Sequence, residues 1–252
     1  MAATDVLLAA ALRRDPSGPL VTYYDDASGE RTELSATTLA NWVAKTANLV
    51  QGEFAAEPGD RIAVRLPAHW QTAAVLLGIW AAGGVVTADS NDCAVAFCTP
   101  DSVAAASGGA ADVVVLGLAP LGRPMQHPID AAVDYAAVVP IQPDAFTAWQ
   151  PIPPDAPALA WDGRTLSGAD VVTAATERAS ALGLGSGDRI LMTLPWAGPA
   201  DWIDLLLAPL AAGASLIISS VPVAAVLVRR VESEAVTAIC GPRIEGIRSV
   251  SR

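Results

Sequence analysis

Gly59-Asp60-Arg61-Ile62-Ala63-Val64-Arg65-Leu66-Pro67 is answered, 128 residues on, by Gly187-Asp188-Arg189-Ile190-Leu191-Met192-Thr193-Leu194-Pro195. Each copy opens on a turn rich in Pro or Gly, Glu57-Pro58-Gly59-Asp60 or Gly185-Ser186-Gly187-Asp188. Each continues as a strand, with Ile62, Val64 and Leu66 alternating in the first, and is stopped by proline.

The match extends in both directions. Downstream, an apolar helical run ends at Ala81-Ala82-Gly83 in one copy and Ala211-Ala212-Gly213 in the other, and the second run is two residues longer. The glycine is the helix stop, and Val85-Val86-Thr87 or Leu216-Ile217-Ile218 follows as a strand. Upstream, Arg31-Thr32-Glu33-Leu34-Ser35 corresponds to Arg164-Thr165-Leu166-Ser167. Ser35 and Ser167 stand at helix N-caps, and Asp170 makes a near capping box with Ser167. Leu39, Trp42, Val43, Ala47 and Val50 then recur with helical period, as do Val172, Ala175, Ala179 and Leu182. Helix, strand, helix and strand with short links predict parallel strands joined by right-handed crossovers. The fold class is α/β: two duplicated, mostly parallel β/α subdomains packed together.

Further strand-like runs cover Ala94 to Cys98 and Asp112 to Leu116. Nine of the 19 prolines then fall between Pro120 and Pro157. The chain therefore divides into a first subdomain over 1–119, a proline-rich, ordered but irregular connector over 120–156, and a second subdomain over 157–252.

Hydrophobic residues make up 52% of the 252, and the mean hydropathy of +0.41 is ample for a core. The formal charge of −11 disfavours nucleic acid as a partner. Met1 to Asp5 lacks the basic start of a signal peptide, so the expected location is the cytoplasm. Leu205 to Val228 carries no charge over 24 residues, but Pro209, Gly213 and Pro222 and its match to the first copy make it helix, stop and strand rather than a membrane span. Cys93 and Cys98 read as small buried thiols, Cys240 is the third cysteine, and His69 and His127 are the only histidines. None of these has metal-ligand spacing, and no metal or cofactor is expected.

Thr32-Glu33-Leu34-Ser35, then Pro58-Gly59-Asp60-Arg61-Ile62-Ala63-Val64, then Gly78-Ile79-Trp80-Ala81-Ala82-Gly83-Gly84-Val85-Val86, resembles the opening of the adenylate-forming superfamily. That superfamily includes acyl-CoA synthetases, luciferases and peptide-synthetase adenylation domains. Leu194-Pro195-Trp196 and Val236-Thr237-Ala238-Ile239-Cys240-Gly241-Pro242 resemble later segments of it. The resemblance runs from about residue 20 to the C-terminus and implies the fold of the superfamily's N-terminal part.

The departures bear on activity. The superfamily has a Ser/Thr-Gly-rich phosphate loop ending Pro-Lys-Gly ahead of the second repeat, where backbone N–H groups cradle phosphates. Here the stretch is Ala158-Leu159-Ala160-Trp161-Asp162-Gly163-Arg164-Thr165-Leu166-Ser167, with no lysine and an added aspartate. It reads as a strand turning directly into the next helix. The superfamily's adenine-binding segment, ribose-binding aspartate and lid with its catalytic lysine would all follow Pro242, where ten residues remain. Lys45 is the only lysine. Gly183-Leu184-Gly185-Ser186-Gly187 lies between a helix and a strand, the wrong order for a phosphate loop. No Gly-x-Ser-x-Gly elbow is present.

The resemblance also places Trp196, Asp201 and Trp202 where the superfamily carries an aromatic and a histidine beside its acyl or CoA channel. They are either a pocket remnant or core filling. The expectation is a non-catalytic protein with an interaction or scaffold role, binding an unknown protein partner or itself. The alternatives are a binder of small molecules that keeps part of an acyl or CoA pocket, or an acyl-activating enzyme completed in trans by a separate lid chain.

Overall fold

The computed structural model describes residues 2–220 and 222–250. Along the chain run α1 (Ala3–Arg14), β1 (Pro19–Asp25), β2 (Glu30–Ser35), α2 (Ala36–Asn48), β3 (Arg61–Arg65), α3 (Trp70–Ala81), β4 (Val85–Thr87) and β5 (Cys93–Cys98). Next come α4 (Val103–Ser107), β6 (Ala110–Val115), β7 (Val133–Asp134), α5 (Tyr135–Val138), β8 (Pro157–Trp161), β9 (Arg164–Ser167) and α6 (Gly168–Ala181). The remainder is β10 (Arg189–Met192), α7 (Pro199–Trp202), α8 (Ala208–Ala211), β11 (Ser215–Ser219), α9 (Ala224–Ser233), β12 (Ala238–Cys240) and β13 (Arg248–Ser249).

The chain forms two compact units. The first comprises Met1–Asp5, Ala40–Leu66 and Gln71–Val171, and the second Val6–Leu39, Pro67–Trp70 and Val172–Arg252. The first holds a seven-stranded sheet in the order β7-β6-β5-β3-β4-β8-β9, parallel except for the β8–β9 hairpin. The second holds a six-stranded sheet in the order β13-β12-β10-β11-β1-β2, parallel except for the β1–β2 hairpin. Two mostly parallel sheets with their helices make an α/β protein.

The two repeated stretches share one register. Arg61 and Ile62 pair with Val85 and Val86, while Arg189 and Ile190 pair with Ser215 and Leu216. The turns match atom for atom: Asp60 Oδ2 accepts from Glu57 N–H at 2.8 Å, and Asp188 Oδ2 from Gly185 N–H at 2.9 Å. Gly83 and Gly213 both adopt positive φ, +83° and +71°, at the end of the helical run, where a side chain would be strained. The hairpins are exchanged relative to sequence order. The one preceding α2 and the first repeat completes the sheet of the second, and the one preceding α6 and the second repeat completes the sheet of the first.

α3 is apolar nearly all round, Gln71 and Thr72 being its polar residues, and is buried along its length apart from Ala81, as expected of a helix covered on every side. Gly78 is what lets it approach α2, since a Cβ there would fall 2.6 Å from Thr46 Cβ. The corresponding run in the second unit is interrupted by a π turn at Ile203–Leu207. That turn takes up part of the added length, and its closing bond, from Ala208 N–H to Ile203 O, comes just before Pro209, which has no N–H to continue an α-helix.

The proline-rich connector is ordered and belongs to the first unit, where it supplies β7 and α5. Tyr135 is fully buried, and its hydroxyl lies 2.7 Å from Thr46 Oγ1. The uncharged run from Leu205 divides into helix, strand and the start of α9, with Val221 outside the described residues. Among the described residues no helix is long and apolar enough to cross a membrane. All three cysteines are buried free thiols. Cys93 and Cys98 join one apolar cluster with Ala63, Ala96, Val103 and Val115, and burial pushes the Cys98 thiol up to about 11.

The α6 start is a full capping box. Ser167 Oγ accepts from Asp170 N–H at 3.1 Å, and Asp170 Oδ2 accepts from Ser167 N–H at 2.9 Å. Replacing Ser167 by Ala is expected to lower stability by about 1 kcal/mol in urea unfolding, with an unchanged dependence on denaturant.

Candidate functional site

In open α/β sheets, ligands bind beyond the carboxyl ends of the strands, where neighbouring strands send their connections in opposite directions. In the second unit that place is between β10, which leads to β11 on one side, and β12, which leads to β13 on the other. Thr193 to Trp196 leave β10 there, and Gly241 and Pro242 leave β12.

The two segments approach each other closely at their start. Thr193 N–H donates to Cys240 O at 3.0 Å, and a Cβ on Gly241 would fall 1.9 Å from Thr193 Oγ1. Trp196, Asp201 and Trp202 are all buried. Asp201 Oδ2 accepts from Ala197 N–H at 2.7 Å and ties the turn after β10 to α7. The indole N–H groups of Trp196 and Trp202 find no hydrogen-bond partner among the described residues. An unmet buried donor costs about 1–3 kcal/mol, so both indoles would gain from an acceptor brought to them.

Further along the same edge, Tyr23 on β1 donates its hydroxyl to Ser220 Oγ at 3.0 Å, and its ring lies 4.1 Å from the His69 imidazole. His69 also lies 5.6 Å from the Trp70 ring. Burial drives the His69 pKa down to about 3 against the opposing pull of Asp25, so the ring is neutral. His69 is thus an aromatic packing residue of the sheet edge, held just ahead of α3.

The strongest electrostatic feature lies between α9 and the β1–β2 hairpin. Glu234, buried just past α9, accepts from Tyr24, from Arg31 at 2.9 Å and from Arg189. Arg230 donates to Ser219 Oγ at 2.7 Å and Asp26 Oδ1 at 2.5 Å, and its guanidinium carbon lies 3.8 Å from the Tyr24 ring centre. Sequence reasoning missed this network, because its members are scattered from Tyr24 to Glu234 with no spacing to mark them.

Among the described residues no group of three or more His, Cys, Asp or Glu side chains could hold a metal ion. Where the superfamily carries its phosphate loop, the chain has the β8–β9 hairpin. Trp161 pairs directly with Arg164 across a two-residue turn whose members, Asp162 and Gly163, take φ of +51° and +73°. The sequence reading of a strand running straight into a helix is corrected here. The Asp-Gly pair favours such a two-residue turn, since both of its central residues need positive φ.

No family model matches the chain. A protein of Mycobacterium tuberculosis (strain ATCC 25618 / H37Rv) described as a TIGR03089 family protein is 46% identical over 234 residues, covering 90% of this chain and 93% of that one. Three solved structures share the fold. The anthranilate CoA ligase AuaEII, solved with anthranoyl-AMP, aligns with a TM-score of 0.74 at 14% identity, over 95% of this chain and 49% of its own. The acetoacetyl-CoA synthetase of Streptomyces lividans aligns at 0.75 and 21%, over 95% and 42%. The Brucella canis acyl-CoA synthetase aligns at 0.75 and 15%, over 95% and 47%. The chain therefore has the fold of the N-terminal part of adenylate-forming enzymes, and it spans about half or less of each of these three chains.

Proposed function

The chain belongs to the TIGR03089 protein family, and we propose that it is a non-catalytic protein acting through contacts with a protein partner or with itself. The single observation that carries this reading is the β8–β9 turn. A phosphate cradle needs several successive N–H groups converging on the anion. A two-residue turn closed by the Trp161–Arg164 pair has no such run, and the Asp162 carboxylate adds charge of the wrong sign.

The shared register of the two repeats supports their descent from one duplicated unit. Three unpaired thiols fit a reducing compartment such as the cytoplasm. The second reading, a binder of small molecules at the turn after β10, draws on the two unmet indole donors of Trp196 and Trp202.

ATP–pyrophosphate exchange tests the first reading. Incubated with a panel of carboxylic acids and Mg²⁺, the protein is expected to give no exchange above the protein-free background. Exchange that scales with protein concentration would overturn it.

A further inference from the structure

The second unit has a cleft of about 470 Å³ at the amino edge of its sheet, away from the carboxyl edge described above. Arg14, Asp15, Ser186, Gly187, Asp188 and Ser215 contribute to its walls, over an apolar floor that includes Leu20 and Ala36. The first unit supplies an internal comparison, because the matching place, lined by Gly83, Ile152, Pro157 and Gly168, is almost filled, at about 10 Å³.

The shared framework identifies what differs. Pro154 O accepts from Ala169 N–H in the first unit, and Pro16 O accepts from Thr37 N–H in the second. Ile152 and Arg14 each stand two residues before that proline. In the first unit the Ile152 side chain packs over Gly83, 3.1 Å from where a Cβ would be, and Gly59 N–H donates to Gly83 O at 2.9 Å. The two loops preceding β3 and β4 are thereby bonded to each other directly. In the second unit Arg14 Nη1 donates instead to both Ser186 O and Gly213 O. A guanidinium bridges the two loops, and the Gly187 N–H has no partner among the described residues.

Arg14 in place of Ile152 is one source of the open cleft; Ala2 and Ala3, which also wall the first unit's place, are another. Its unspent groups define what it can hold. Arg14 Nε and Nη2 and the Gly187 N–H are donors without a protein acceptor among the described residues. Asp15 Oδ1 accepts from Gly18 N–H at 2.9 Å, while Oδ2 has no such partner there. Asp188 is fully engaged by Gly185, Thr237 and Arg248. Arg14, Gly187 and Asp15 all line the cleft, and two donor groups and one open carboxylate oxygen on its walls match an oxyanion and a protonated amine carried on one small molecule. The volume lies in the range of small-molecule sites.

We propose that this cleft binds a small zwitterion that carries a carboxylate and an ammonium group, such as a free α-amino acid. The carboxylate takes Arg14 and Gly187, and the ammonium takes Asp15. The proposal is independent of the non-catalytic reading, since it concerns the opposite edge of the sheet.

Isothermal titration of the full chain with glycine, L-alanine and L-leucine tests it, with propionate, propylamine and inorganic phosphate as single-charge probes. The expected result is saturable binding of at least one amino acid, at least tenfold tighter than any single-charge probe. Asp15→Asn keeps the turn acceptor for Gly18 and should weaken the amino acid at least tenfold while leaving propionate unchanged. Arg14→Ile, which copies Ile152, should abolish binding. No saturable binding by any amino acid, equal binding of a single-charge probe, or unchanged affinity in Asp15→Asn would each overturn the proposal.

Discussion

Replacing Glu234 by Ala is expected to destabilise the protein by roughly 3 kcal/mol, the cost of leaving buried charge without its partner. Glu234 is 7% exposed and Arg189 14%, so their pair is poorly screened. Arg31, at 45% exposure, is in contact with solvent and adds little of its own. Without the carboxylate, the Arg189 Nη2 loses its nearest charged acceptor and keeps Thr22 Oγ1, at 3.1 Å, and the more exposed Glu33 carboxylate, at 3.7 Å. The Tyr24 hydroxyl loses its acceptor as well. The same group sets an acid limit. Burial alone would raise the Glu234 carboxyl, but hydrogen bonds from Tyr24, Arg189 and Arg31 outweigh it and hold the pKa below the usual glutamate range. A depressed carboxylate stabilises fully above its unfolded pKa of about 4.3 and loses that contribution as pH falls through the folded value. Urea unfolding at pH 7 measures the first effect. A loss under 1 kcal/mol would mean that the network is not the clasp between α9 and the β1–β2 hairpin described above.

His69 should give the chain a second, separable acid sensitivity. Its folded pKa of about 3 lies far below the ordinary value of 6.5, because charging the buried ring would take it out of water. Between those two values the unfolded chain binds one more proton than the folded one. Stability therefore falls as pH falls through that window, by about 1.4 kcal/mol per pH unit, and is unaffected above it. His69→Phe keeps a ring against Tyr23 and removes the titration. The stability difference between the variant and the wild type should shift by roughly 4 kcal/mol between pH 6.5 and pH 3, in favour of the variant at low pH. Parallel pH profiles for the two proteins would contradict a neutral, buried His69.

Much of the fold was legible because the repeat exposes it. Gly59 to Leu66 and Gly187 to Leu194 carry turn, strand and stop in the same order, and period and punctuation identify such elements. β4 is found over Val85–Thr87 as its sequence predicts. What was not legible was which sheet each hairpin would join. Strand order depends on long-range pairing, and nothing in Arg31 to Ser35 marks Leu216 to Ser219 as the partner of the adjoining β1. The π turn at Ile203–Leu207 was foreshadowed only by Pro209 and the two added residues.

Of the candidate site, the strand end at Leu194-Pro195-Trp196 was legible in the sequence and the packing around it was not. Pro195 marks the end of the strand, but that Gly241 comes close to Thr193 Oγ1 is a matter of packing. The Asp162-Gly163 turn could have been read from sequence, since that pair is a strong hairpin signal. The Arg14 cleft could not, because it appears only when Arg14 is compared with Ile152 on a shared framework.

The most direct test of the central claim, that the β8–β9 turn cannot hold a triphosphate, is equilibrium dialysis of the purified full chain against Mg²⁺·ATP. The expected result is no saturable binding at millimolar nucleotide. Saturable, Mg²⁺-dependent binding that is weakened by changing Asp162 or Gly163 would contradict it.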